Sequence, residues 1–354
     1  MNFEALIAQF GEEYVLVLGG LIIGIIFGIA AQQSRFCLRA ATMEVAHGQP
    51  AGRMAIWLVT FAIALIATQA LILAGYFDTN GLRQFSNRGS ISGAIIGGLI
   101  FGVGMALSRA CSGRMLVLTG GGNLRALLTG LVFAVAAQAS VEGVLSPFRN
   151  SISNLWTIDG PSRNLLGLTG IGNVGALAFS FFWLALGVYM VRKHAVSAYV
   201  VIMGIVVGLM IAAAWWFNFG VAANSFEVVP VHSLSFAAPT SDTLMYFLAP
   251  PGGAFSFDIG LIPGVLIGAM IAAIFSRTFK LEGFQDPTTM IRYMIGGVFM
   301  GFGAILAGGC AIGAGVSGAS VFAITAWLTL WSIWLGAVMT DVIVDRWLFK
   351  KQPS

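Results

Sequence analysis

Long apolar runs, separated by short polar clusters, dominate the chain from end to end. Nine stand out, at about 14–32, 54–76, 91–110, 126–145, 173–191, 198–217, 259–276, 291–309 and 319–340. Crossing roughly 30 Å of bilayer hydrocarbon at 1.5 Å per residue takes a helix of about 20 apolar residues, and these runs match that length. The pattern predicts an all-α polytopic membrane protein of about nine transmembrane helices, forming one transmembrane domain over residues 1–354. After Cys111 and Cys310 the apolar pattern weakens into Gly- and Ser-rich stretches that include Gly120, Gly121, Gly122, Gly313, Gly315 and Gly318. Irregular backbone at membrane depth survives only where protein or a polar cavity satisfies it, so these stretches predict re-entrant or broken helices.

Composition agrees with this reading: 58% of residues are apolar and 9% are charged, against about 25% charged in a typical soluble domain. The start, MNFEALIAQFGEEY, has no basic n-region and carries Glu4, Glu12 and Glu13, so the first run is expected to be a retained span rather than a cleaved signal peptide. With the N-terminus outside and the C-terminus cytoplasmic, 14 of the 18 basic residues fall on inner segments and only Arg83, Arg88, Arg149 and Arg163 fall outside. The connection from Asn218 to Asp258 has no Lys or Arg. That asymmetry is what the positive-inside rule expects.

Residues 97–111, GGLIFGVGMALSRAC, and 296–310, GGVFMGFGAILAGGC, share the pattern GGxxxGxGxxLxxxC without a gap. A weaker echo links Gly24 and Gly28 to Gly204 and Gly208. The repeats are then about 14–145 and 198–340, joined by a connector helix at about 173–191. Corresponding spans differ by five, an odd number, so the two halves are expected to insert in opposite directions, as in many secondary transporters.

Both copies of the motif end in cysteine, and the third cysteine, Cys37 in SRFCLRAA, also follows an apolar run. Its counterpart in the second repeat, near Trp215 and Trp216, lacks a thiol. A buried cysteine ordinarily serves as a small hydrophobe. Zinc spacing is missing, His47, His194 and His232 are scattered loop positions, and soft copper(I) ligation would call for clustered methionine. No metal or cofactor is expected. Three thiols at three similar helix ends fit instead a path for a soft anion, because a neutral thiol offers a weak donor and a polarizable acceptor without repelling negative charge. Thiosulfate joins a soft terminal sulfur to three hard oxygens, which glycine-rich backbone N–H groups could hold. An enzyme, either a membrane thiol oxidoreductase or a sulfurtransferase, is the alternative; it favours an exposed, low-pKa thiolate.

The cysteine segments and the paired glycine helices resemble those of the sulfur-transport family of YeeE/YedE-type membrane proteins, over essentially the whole chain. The resemblance implies a single-chain permease of the bacterial inner membrane that takes up thiosulfate past Cys37, Cys111 and Cys310. It also admits another sulfur or selenium species as substrate and a small TusA-like sulfur-carrier protein as partner. The other expected partners are membrane lipid and the anion itself, not nucleic acid. No GxxxxGK[ST] motif is present, in keeping with a permease that does not hydrolyse ATP. Supporting positions are Arg109, Ser112, Gly113 and Arg114 around Cys111, Gly309 and Gly313 around Cys310, and Arg35 and Arg39 around Cys37. Gln32, Gln33, Ser108, Gln138 and Ser317 add hydrogen-bonding groups, and Glu142 is an acidic residue near the outer end of the fourth span. Glu142 reads equally as a partner for Arg149 and as a proton site.

Overall fold

The structure, a computed structural model, describes residues 3–343 apart from 50, 80–81, 83–84, 86–87, 226–228, 251 and 284–285. Arg83 and the basic tail with Arg346, Lys350 and Lys351 lie outside the described residues. Among those described, nine helical stretches are long and apolar enough to cross a membrane. In chain order the helices are α1 Phe3–Phe10, α2 Glu12–Ser34, α3 Leu38–Ala46, α4 Gly52–Leu73, α5 Ile91–Leu107, α6 Ser112–Gly120, α7 Leu124–Val141 and α8 Ser146–Ser153. There follow α9 Leu165–Thr169, α10 Gly172–Lys193, α11 Ala198–Ala222, α12 Ala238–Leu248, α13 Phe257–Phe275, α14 Pro287–Leu306, a π-helical turn Gly313–Gly318 and α15 Ile324–Thr340. A two-residue antiparallel pairing of β1 Gly89–Ser90 with β2 Thr157–Ile158 is the one named sheet among the described residues.

Two of the nine stretches, 12–46 and 91–120, are broken helices. The breaks have a backbone cause. Arg35, Arg109 and Gly308 sit at φ of 53°, 57° and 77°, a left-handed conformation that a right-handed helix cannot carry. Helix starts are fixed by side chains that accept the first free N–H groups: Ser90 for Gly93, Asn123 for Ala126 and Asp286 for Thr289. Glu44 does the same for α4 from outside it, accepting from the N–H groups of Ala51 and Met54 at 2.9 Å each.

Small residues set the packing, as expected where lipid supplies no hydrophobic drive between helices. A Cβ placed on Gly24 or Gly28 would meet the Leu261 and Val265 carbonyls of α13 at 2.5 and 2.4 Å, so α2 and α13 lie backbone to backbone and run parallel. Gly204 and Gly208 of α11 face Ile56 and Thr60 of α4 in the same sense. At the centre α5 crosses α14 antiparallel: Gly97 meets the Gly303 carbonyl, and Gly104 meets that of Gly296. On the flanks Gly98 and Gly102 press on the Thr329 and Ile333 carbonyls of α15, while Gly297 and Gly301 press on those of Thr129 and Phe133 of α7.

The connection from Asn218 to Asp258 differs from a simple outer loop. Asn218 is itself buried in α11, and residues 229–236 run without helix or strand, with Val231, Leu234 and Phe236 buried before α12 begins. Burying these side chains draws the backbone inward, where other groups take up its polar atoms: Asn218 Nδ2 donates to the His232 carbonyl at 2.8 Å and Ser317 Oγ to the Leu234 carbonyl at 2.7 Å.

Candidate functional site

The three cysteines occupy the same local position. Each stands two residues after a left-handed residue, and each carbonyl accepts the first N–H of the next helical turn, from Ala41, Met115 and Ala314. Sulfur is thereby placed at the start of three short helical segments, where backbone N–H groups point back toward the break. All three thiols are free and buried. The Cys37 and Cys111 side chains are neighbours. Cys310 is held differently: its Sγ accepts from the N–H groups of Phe236 and Gly313, each at 3.4 Å. The two arrangements meet at Gly113, where an added Cβ would lie 2.7 Å from Ile312 and 3.2 Å from the Phe236 ring. The Phe236 ring in turn packs on Phe27 at 5.2 Å between centroids.

Two polar cavities flank this cluster. The first, about 680 Å³, is lined by Gln32, Gln33, Arg35, Arg53, Arg114 and Ser276 among others. The second, about 500 Å³, is lined by Arg88, Arg149, Arg163, His232, Asp258, Gly309, Gly313 and Ser317 among others. They open on opposite faces, because Ser276 just past the end of α13 lines one and Asp258 at its start lines the other. Arg35 and Arg114 of the first cavity lie within three residues of Cys37 and Cys111 in the chain, and Gly309 and Gly313 of the second lie on either side of Cys310. Among the described residues no carboxylate lines the first cavity, so its three guanidinium groups give it a single sign of charge. Arg163 of the second cavity donates to Thr325 Oγ1 at 2.9 Å, and burial lowers its guanidinium from the ordinary value while leaving it a cation.

The predicted supporting residues divide. Arg114, Gly309, Gly313, Gln32, Gln33 and Ser317 line the cavities, and Arg114 reaches Gln32 Oε1 at 3.5 Å. Ser112 is buried beside Cys111 with its hydroxyl unbonded among the described residues. Arg109 is exposed and lines neither cavity, and Arg39 is likewise set apart from both. Ser108 donates to its own helix at Gly104, and Gln138 accepts from Ser241 at 2.6 Å. Glu142 is exposed at the end of α7, and Arg149 donates to Asn150. Two histidines do more than occupy loops: His47 lies 3.0 Å from the buried Asp341 carboxylate and His232 lies 3.0 Å from Asp258.

The chain as a whole is similar to known proteins. The chain is 24% identical over 360 residues to a thiosulfate transporter, TsuA, of Escherichia coli (strain K12), covering 96% of this chain and 97% of that protein. It is 26% identical over 334 residues to a thiosulfate transporter, TsuA, of Spirochaeta thermophila, covering 87% and 93%. The sulphur-transport family pattern matches residues 33–339, a range that contains all three cysteine breaks and both cavities' principal arginines; the chain belongs to the sulphur-transport family.

Proposed function

We propose that this chain is a transporter, not an enzyme, and that it takes up thiosulfate across the plasma membrane through a path lined by Cys310, Cys111 and Cys37. The observation that carries the reading is the placement of three buried thiols at three equivalent helix breaks between two arginine-bearing cavities. The second cavity faces outside and receives the anion. Cys310 then meets the terminal sulfur, Cys111 and Cys37 pass it on, and Arg114 and Arg35 draw it into the first, cytoplasmic cavity. The unbonded Ser112 hydroxyl and the N–H groups at the helix starts serve the oxygens, since a buried polar group without a partner is a donor kept for a guest. A small TusA-like sulfur carrier receives sulfur at the cytoplasmic side.

The architecture proposed is two inverted repeats, about 14–145 and 198–340, around the connector α10. Reciprocal contacts support it: Gly97 on Gly303 mirrors Gly296 on Gly104, and α2 on α13 mirrors α11 on α4. Reporter fusions at Ser354 and within 218–258 are expected to read cytoplasmic and external respectively; a cytoplasmic signal from the latter would refute the orientation. Purified protein in liposomes, given labelled thiosulfate, tests the path. Cys111→Ser and Cys310→Ser are each expected to cut uptake about tenfold or more, equivalent to ~1.4 kcal/mol or more of lost stabilisation. Cys37→Ser is expected to cut it less. Serine keeps size and hydrogen bonding but replaces polarizable sulfur with hard oxygen, so wild-type uptake by both serine variants would return the cysteines to packing.

A further inference from the structure

The irregular segment 229–236 carries His232 on the wall of the second cavity, facing Asp258 at the start of α13. The His232 Nδ1 lies 2.9 Å from the Pro230 carbonyl oxygen, and Nε2 lies 3.0 Å from Asp258 Oδ1. A carbonyl oxygen only accepts, so Nδ1 carries hydrogen. If the ring were neutral, Nε2 would then present a lone pair to an ionised carboxylate, and two acceptors would face each other at 3.0 Å. The contact is attractive only with one more proton in the pair, on Nε2 as imidazolium or on Asp258 as the acid. The geometry therefore describes a site holding one exchangeable proton, and both side chains keep some exposure, 19% and 15%.

The same segment reaches the thiols. Four residues beyond His232, the Phe236 N–H donates to Cys310 Sγ. Among the described residues, the other charges that line this cavity with the pair are Asp242 of α12 and Arg88, Arg149 and Arg163. From α2, Glu12 is turned to the Ser225 hydroxyl and Glu13 to the Phe255 N–H. With its proton the pair is electrically neutral. Without it, the pair adds a negative charge to a wall that must receive a dianion.

We propose that His232 and Asp258 bind a proton that enters with the anion, making the chain a proton–anion symporter. The inference rests on the reading of the chain as a carrier of a divalent sulfur anion. By linkage, anion in the cavity strengthens proton binding and the proton strengthens anion binding equally. Uptake therefore rises as the outer solution is acidified, and each proton offsets one of the dianion's two charges.

The test uses the full chain in liposomes with a trapped pH-sensitive dye, the membrane potential clamped by potassium and valinomycin, and labelled thiosulfate outside. The wild type is expected to acidify the lumen in step with label entering, and an inward proton gradient is expected to raise uptake. Asp258→Asn can still donate an amide N–H to Nε2 but cannot exchange a proton, and His232→Gln removes the imidazole. In both, the stimulation of uptake by the gradient is expected to disappear. Label entering the wild-type vesicles without luminal acidification would overturn the proposal even if neither variant folds, and so would variants that keep the gradient stimulation. A wild type that moves no label at all would instead sink the carrier reading, and the symport with it.

Discussion

At Cys111 the chain leaves a left-handed Arg109 and starts a nine-residue α-helix; at Cys310 it leaves a left-handed Gly308 and makes a six-residue π-turn. The helices that lead into the two breaks share GGxxxGxGxxLxxxC, so the difference arises after the cysteine. Ser112–Gly120 contains Arg, Met, Leu and Val, which hold a regular helix, whereas GAGVSG offers almost no side chain to pack between turns. The sulfurs differ accordingly. Cys111 has another thiol, Cys37, as its neighbour, while the Cys310 sulfur accepts two backbone N–H groups. A shared motif thus sets where the chain breaks, and the local sequence beyond it decides what chemistry the break presents.

The largest expected effect lies in the crossing of the two helices that lead into these breaks. A Cβ on Gly303 would stand 2.6 Å from the Phe101 nitrogen and 2.7 Å from the Gly97 carbonyl; one on Gly104 would stand 2.5 Å from the Gly296 carbonyl. These are backbone atoms that no rotamer change can move aside. Gly303→Val and Gly104→Val are each expected to destabilise the fold by about 3 kcal/mol, the upper end for overpacking. Thermal unfolding of the purified protein in detergent is the measurement. A large loss in one variant and none in the other would break the reciprocity of the two helices.

Much of this molecule is legible in its sequence, for physical reasons that also mark where legibility ends. A membrane span must be about 20 apolar residues long, so the nine runs and the nine helical stretches coincide to within a few residues at most ends. The breaks were legible because cysteine, glycine and serine interrupt those runs. The lining of the cavities was only partly legible. Arg109 and Arg114 both flank Cys111 in sequence, but the first is exposed and lines neither cavity while the second, in the first turn of α6, lines the first cavity; spacing from the cysteine alone does not tell them apart. The segment 229–236 reads as a loop for want of basic residues, although Leu234 and Phe236 alternating with serines hint at its burial. Nothing in the sequence joins His232 to Asp258, 26 residues away, since that contact is made by the path of the chain.

The smallest expected effect separates the two breaks by sign. Gly308 and Arg109 are equivalent positions at nearly the same backbone conformation, with φ of 77° and 57°. A Cβ on Gly308 would meet nothing within 4 Å, so Gly308→Ala tests conformational strain alone. Forcing an L-residue into the left-handed region costs about 1–2 kcal/mol, and Gly308→Ala is expected to lose stability in that range. Arg109 already bears this strain, and Arg109→Gly removes it. Glycine gives back about 0.5–1 kcal/mol through the freer unfolded chain, so the net gain is expected to be small, up to about 1 kcal/mol. Thermal unfolding of the two variants side by side should therefore move in opposite directions, with uptake by Arg109→Gly close to wild type because that side chain lines neither cavity. If Arg109→Gly instead unfolds as early as Gly308→Ala, strain is not what distinguishes the positions, and the exposed guanidinium is anchoring the break at the membrane surface through its charge.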